Sequence, residues 1–184
     1  MKKLIEEKMD HPLSDKEIIS KLKNKSNIVL YKDLNKYRNI DQLMYPYNAC
    51  VILYEVVPNN GHWVCILKTH EPTSYGLRTC IEFFDSYGKM VDTQQKFIDP
   101  SYLEISGQTD KMLTRLLLFS NARYLISYNQ YPFQKLSYDI KTCGRWCVLR
   151  ILNKSMNLDE FHKEVVLSSK LMGLTLDEFV ALII

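Results

Sequence analysis

A chain of 184 residues fits one domain and is long enough to bury a hydrophobic core. Hydrophobic residues make up 46% of it and charged residues 24%, and a formal net charge of +3 neither requires nor excludes a nucleic-acid partner. No apolar run approaches the roughly 20 residues of a bilayer-crossing helix, and the opening "MKKLIEEKMDHPLSDKE" has no apolar stretch behind its lysines, so neither a membrane span nor a secretory signal is expected.

Ser14 followed by Glu17 has the form of a capping box, so "DKEIISKLKNK" reads as a short amphipathic helix. "NIVLYKDLNKYRNIDQLM" stays open between a short strand, helical pieces and loops. "ACVILYEVV" (49–57) is rich in β-branched residues and reads as a buried strand, "PNNG" as a turn, and "HWVCILK" (62–68) as a second strand that forms a hairpin with the first. "LRTCIEFFDSYG" (77–88) is a third strand that stops at Asp85-Ser86. "TDKMLTRLLLFS" suits a helix and "ARYLISYNQ" a fourth strand. "CGRWCVLRILNK" is a helix with apolar Trp146, Val148, Leu149, Ile151 and Leu152. "NLDEFHKEVVLSS" and "TLDEFVALII" each open on a capping residue followed three positions later by an acid, and are two more helices. The expected fold is α+β, a single domain over 1–184, with a central, mostly antiparallel sheet flanked by helices.

Five cysteines, an odd number, argue against a disulfide framework and for a reducing compartment. Cys50, Cys65 and Cys80 lie among β-type apolar residues and read as buried thiols. Cys143 differs, because it falls in the first turn of a helix, where unpaired N–H groups and the positive end of the dipole favour thiolate. Cysteines so placed have pKa values of roughly 3.5–7.5 against ~8.5 for a free thiol. Gly144 would let a substrate backbone approach. Two blander readings stand beside catalysis: a buried small residue, or one ligand of a metal with Cys147 one turn on. The metal reading lacks further ligands, and Cys147 reads as a core residue.

A nucleophilic thiol needs a base, and the base an orienting group. Of the four histidines, His11 and His162 lie in charged contexts and His70 at a strand end. His62 follows a turn and opens an apolar strand. Asp85 ends the next strand, so it reaches His62 if the two strands are neighbours. Each of these residues alone also has a structural reading, as a capping histidine or a turn aspartate.

Taken together, "GHW" on one strand, "FFDSYG" on the next and "TCGRWC" opening a helix resemble the adenovirus-type maturation proteases and the related SUMO deconjugases, papain-like cysteine peptidases. The "FDSYG" and "CGRW" forms look most like the capsid-maturation proteases of virophages and polinton-like DNA elements. The match runs from about residue 61 to about residue 152. The resemblance implies Cys143 as nucleophile, His62 as general base, Asp85 as its orienting acid and Trp63 as the aromatic that walls the cleft. It also implies a glutamine before the nucleophile that helps hold the oxyanion. Gln134 is the nearest upstream, at a wider spacing than in the deconjugases, and Gln130 is the alternative.

The resemblance further implies peptide or isopeptide hydrolysis through an acyl-enzyme, next to small residues such as glycine, with no metal or organic cofactor. Viral capsid precursors are the implied substrates, a peptide or nucleic acid a possible activator, and the virion or host-cell cytoplasm the implied location. A deconjugase of ubiquitin-like proteins, an acyltransferase of the same site type and a catalytically dead scaffold are the competing readings.

Overall fold

The computed structural model describes residues 2–184. The chain opens with helix α1 (Lys2–Asp10), then α2 (Asp15–Leu22), capped by Ser14 and Glu17 in the expected reciprocal box. Strand β1 (Asn27–Leu30), a 3₁₀ turn (Tyr31–Lys36) and the short α3 (Ile40–Met44) make up the segment whose sequence pattern is ambiguous. Strands β2 (Ala49–Val57), β3 (Asn60–Thr73) and β4 (Gly76–Phe84) form a meander. A second 3₁₀ turn (Thr93–Phe97), α4 (Pro100–Ser106) and α5 (Met112–Ser120) lead to β5 (Leu125–Tyr128). The chain closes with α6 (Cys143–Leu152), α7 (Leu158–Leu171) and α8 (Leu176–Ile183). Capping boxes at Asn157–Glu160 and Thr175–Glu178 open the last two.

The five strands lie in chain order across one sheet. β2–β3 and β3–β4 are antiparallel, as hairpin connections require, but the outer pairs β1–β2 and β4–β5 are parallel. The sheet is therefore mixed and not mostly antiparallel. The outer strands are joined to their neighbours through helical crossovers, which is how a chain returns in the same direction. β3 also runs past His70 to Thr73, so that histidine lies within the strand, exposed.

Alternate side chains of the central strands point to opposite faces. Val51, Leu53, Cys65, Leu67 and Phe84 share one apolar core with Trp146, Val148 and Ile151 of α6, Ile18 and Leu22 of α2, and Phe161 and Val180 of the last two helices. Cys50, Ile52, Val64, Ile66 and Ile81 share a second with Leu34, Ile40, Leu43, Leu113 and Leu116. A sheet covered on both faces needs unbroken apolar strands, which is what "ACVILY" supplies. In α6 the far end departs from expectation: Leu152 is largely exposed.

One polar contact crosses the first core. The Arg150 guanidinium on α6 meets the Glu82 carboxylate on β4 as a fork, Nε to Oε1 at 2.8 Å and Nη2 to Oε2 at 2.7 Å. Two further guanidinium hydrogens go to the carbonyls of Asn153 and Met156. Both side chains are fully buried, so the pair is tolerated only because its donors and acceptors are matched. It ties the helix that begins at Cys143 to the strand that ends before Asp85.

Candidate active site

β4 ends at Phe84 because the "DSYG" segment turns: Gly88 N–H donates to Asp85 O at 2.8 Å, and Gly88 takes a positive φ of 68°. A side chain at Gly88 would also run into the Gln130 carbonyl, whose oxygen would lie 2.7 Å from its Cβ. The antiparallel register pairs Cys65 with Phe84. Continued past the strand end, it sets Tyr87 opposite His62 and Asp85 within reach of the same ring.

His62 Nε2 lies 2.9 Å from Asp85 Oδ1. A carboxylate can only accept, so Nε2 carries the proton and Nδ1 is the nitrogen left for Cys143. The Cys143 sulfur lies beside His62 and near the backbone N–H groups of Trp63 and Gly144, each of which favours its thiolate form. Burial opposes charge on the imidazole, but the charge and hydrogen bond of Asp85, then those of Cys143, outweigh it and raise the His62 pKa to about 10. Burial likewise opposes the thiolate, yet His62 and the two N–H groups hold the Cys143 thiol below its ordinary range. Against the same desolvation, His62, Gln94 and the Tyr87 N–H keep Asp85 below the usual carboxylate value. The three groups therefore favour the charged forms of one another: Asp85 favours a protonated His62, and His62 favours a Cys143 thiolate.

Gln134 also faces this cleft, whereas Gln130 is exposed outside it. The Gln134 side chain is held from three sides. Its Oε1 accepts from Ser86 Oγ at 2.8 Å, and its Nε2 donates to Ile140 O at 2.9 Å and to the Tyr87 hydroxyl at 3.2 Å.

Trp63 and Gly144 sit differently from the expectation that they line the substrate path. The Trp63 side chain is buried in the core, its Nε1 donating to Leu13 O at 3.0 Å, and what faces Cys143 is its backbone N–H. The Cβ direction of Gly144 faces Leu13, Trp63 and Ile18 at 3.2–3.3 Å. Gly144 thus lets α6 pack closely on α2; neither side-chain position opens onto the cleft. Cys147 is buried against Cys65, which pushes its thiol pKa up, in keeping with a core role.

Several residues that hold the site were not visible in the sequence. Gln94, in the second 3₁₀ turn, donates to Asp85 Oδ2 at 2.7 Å. Asn129, after β5, donates to Asp85 O at 2.6 Å. Tyr87 stacks on His62 with ring centroids 4.7 Å apart and planes at 14°. Asp177 on α8 accepts from the Thr142 hydroxyl and from Lys135 N–H, so it moors the residue before Cys143 and the one after Gln134. The end of α1 fixes the same approach, through Lys141 N–H on Met9 O at 2.7 Å. Only Tyr87 had a cue, its place in the "FDSYG" turn.

The cleft around these groups has a volume of about 1200 Å³. Val56, Phe97, Leu136 and Ile140 give it apolar walls, and Lys89 and Lys141 lie at its margin. That is room for several residues of extended peptide. Cys143 at 6% exposed and His62 at 9% lie at its floor. No helix among the described residues is long and apolar enough to cross a membrane.

No family model matches the chain. It is 43% identical over 171 residues, 93% of each chain, to "Uncharacterized protein V9" of Sputnik virophage. At that identity and coverage the chain belongs to the same family as this virophage protein.

Proposed function

We propose that the chain is a cysteine endopeptidase that cleaves capsid or other structural precursor proteins during virion maturation, next to small residues such as glycine, in the virion or the host-cell cytoplasm. The observation that carries the reading is the continuous contact from Cys143 through His62 to Asp85, set at a helix start on the floor of a peptide-sized cleft. The capsid substrate is supported by the resemblance of "FFDSYG" and "CGRW", together with a relative from a virophage. The preference for small residues is supported by the depth of the sulfur, which only a slender main chain reaches.

In this reading the Cys143 thiolate attacks the scissile carbonyl carbon and the π pair moves to oxygen. As the first residue of α6, Cys143 has no intrahelical partner for its own N–H, which serves as one oxyanion donor. A second donor comes from the Gln134 side of the cleft. The His62 imidazolium gives its proton to the leaving amine as the C–N bond breaks. Neutral His62 then takes a proton from water, which attacks the thioester and frees the thiolate. Asp85 keeps the imidazole oriented and stabilises its charge throughout.

The test is incubation of the purified protein with the structural proteins of its own virus, with new termini read by mass spectrometry. Cleavage by the wild type and none by Cys143→Ala supports the reading. Loss of ubiquitin-like conjugates with structural proteins untouched would shift the substrate to a deconjugase's. Acetyl transfer from acetyl-CoA would make the site an acyltransferase's.

A further inference from the structure

Tyr87 carries a hydroxyl proton into the cleft beside His62. Its ring lies on His62, and its backbone N–H donates to Asp85 Oδ1 at 2.9 Å, the same oxygen that holds the imidazole. Its hydroxyl oxygen accepts from Gln134 Nε2 at 3.2 Å. The orientation of that amide is set by Ile140 O, which can only accept. Both side-chain N–H groups of Gln134 are therefore engaged within the protein, and a substrate oxygen would have to displace one of them. The Tyr87 O–H, by contrast, has no acceptor among the described residues. It reaches from the His62 side of the cleft to the Gln134 side, and both Tyr87 and Cys143 line that cleft.

We propose that the Tyr87 hydroxyl is the side-chain donor to the substrate carbonyl and to its oxyanion, and that Gln134 is a positioning residue acting through it. The inference rests on the peptidase reading. As the S–C bond forms and the carbonyl π pair moves onto oxygen, that oxygen receives hydrogen bonds from Cys143 N–H and Tyr87 O–H. The phenol keeps its proton: burial first, then the negative charges of Cys143 and Asp85, push its pKa up. It therefore donates without transferring, and the proton for the leaving amine still comes from His62. Gln134, donating into the phenol oxygen, both fixes the hydroxyl and strengthens it as a donor.

The peptide aldehyde acetyl-leucyl-glycyl-glycinal tests this, because its adduct with the thiolate builds an oxyanion without needing turnover. Iodoacetamide serves as the control, since alkylation builds none. Tyr87→Phe keeps the ring on His62, so the alkylation rate and its pH profile should stay within about twofold of wild type, while aldehyde affinity falls about a hundredfold or more. Gln134→Ala should weaken the aldehyde in the wild-type background and add little in the Tyr87→Phe background, as expected of two groups acting in series. If Tyr87→Phe binds the aldehyde as well as wild type or better, Tyr87 is not the donor. If Gln134→Ala costs the same factor in both backgrounds, Gln134 acts on substrate directly and the assignment falls. A wild-type protein that neither alkylates selectively at Cys143 nor binds the aldehyde would instead overturn the peptidase reading, and this inference with it.

Discussion

Gln94 Nε2 donates to Asp85 Oδ2 at 2.7 Å, on the carboxylate oxygen that His62 does not use. With the Tyr87 N–H on Oδ1, both oxygens are occupied and the carboxylate has one orientation. A hydrogen bond to a charged group contributes about 1.5–3 kcal/mol. Gln94→Leu should therefore lower turnover about tenfold and move the acid limb of the pH–rate profile upwards, since a less stabilised carboxylate protonates earlier. A profile that scales down without shifting would mean that Gln94 only packs the cleft wall.

The Cys143–His62 pairing has a pH signature of its own. Cys143 titrates below its ordinary 9.0 and His62 rises from 6.5 to about 10. Iodoacetamide alkylation should rise at lower pH than for an ordinary thiol, as pH climbs through the depressed Cys143 value. His62→Ala removes the largest influence favouring the thiolate, so the rise should move up and alkylation at neutral pH fall about tenfold or more. Stability follows the same groups. His62 has a folded pKa above its unfolded value, so its contribution is fully present below 6.5 and lost as pH rises through about 10. Asp85 is shifted the other way. Its contribution is present above 3.8 and lost as pH falls through its lower folded value. Urea midpoints measured across pH should fall off at both ends, and the alkaline loss should begin at higher pH in His62→Ala, where only groups such as the buried Tyr87 and Cys147 remain to titrate.

The grouping of His62, Asp85 and Cys143 was legible in the sequence because these residue types are rare in the local patterns that surround them: a histidine opening an apolar strand, an aspartate ending the next, a cysteine at a helix start. Their supports were not. Gln94 and Asn129 lie in segments without periodicity, and only the tertiary fold brings them to Asp85. The strands themselves were readable from β-branched runs, but the parallel outer pairs were not, since direction depends on crossovers that leave no residue pattern. α1 escaped because only Ile5 of its residues is buried, too little for an amphipathic stripe. The sequence places Gly144 in the cleft because its neighbour is the candidate nucleophile, whereas its Cβ direction depends on how α6 is rolled against α2.

The buried Glu82–Arg150 fork makes a prediction about stability and not chemistry. Glu82→Gln leaves the guanidinium uncompensated in the core, and breaking such a pair from one side costs about 3–5 kcal/mol. Glu82→Leu with Arg150→Met removes both charges and should cost less than either single change. Urea denaturation of the single and double variants decides it. Additive losses would show that the two residues contribute through separate packing.

Gly144 separates a packing role from a substrate role. An alanine methyl there would lie 3.2 Å from Leu13 Cβ and Trp63 Cδ1 and 3.3 Å from Ile18 Cδ1, tighter than ordinary contact. The first of these atoms is close to the backbone and the second belongs to a ring fixed by its hydrogen bond to Leu13 O, so neither gives easily. Overpacking of this kind costs about 1–3 kcal/mol. Relief comes most readily from a shift of the α6 start away from α2, which displaces the Cys143 sulfur from His62 and the Trp63 N–H on β3. Gly144→Ala should therefore lower the urea midpoint and slow alkylation at neutral pH together. Were the glycine there to admit a substrate main chain, the same substitution would raise KM and leave both the midpoint and the alkylation rate alone.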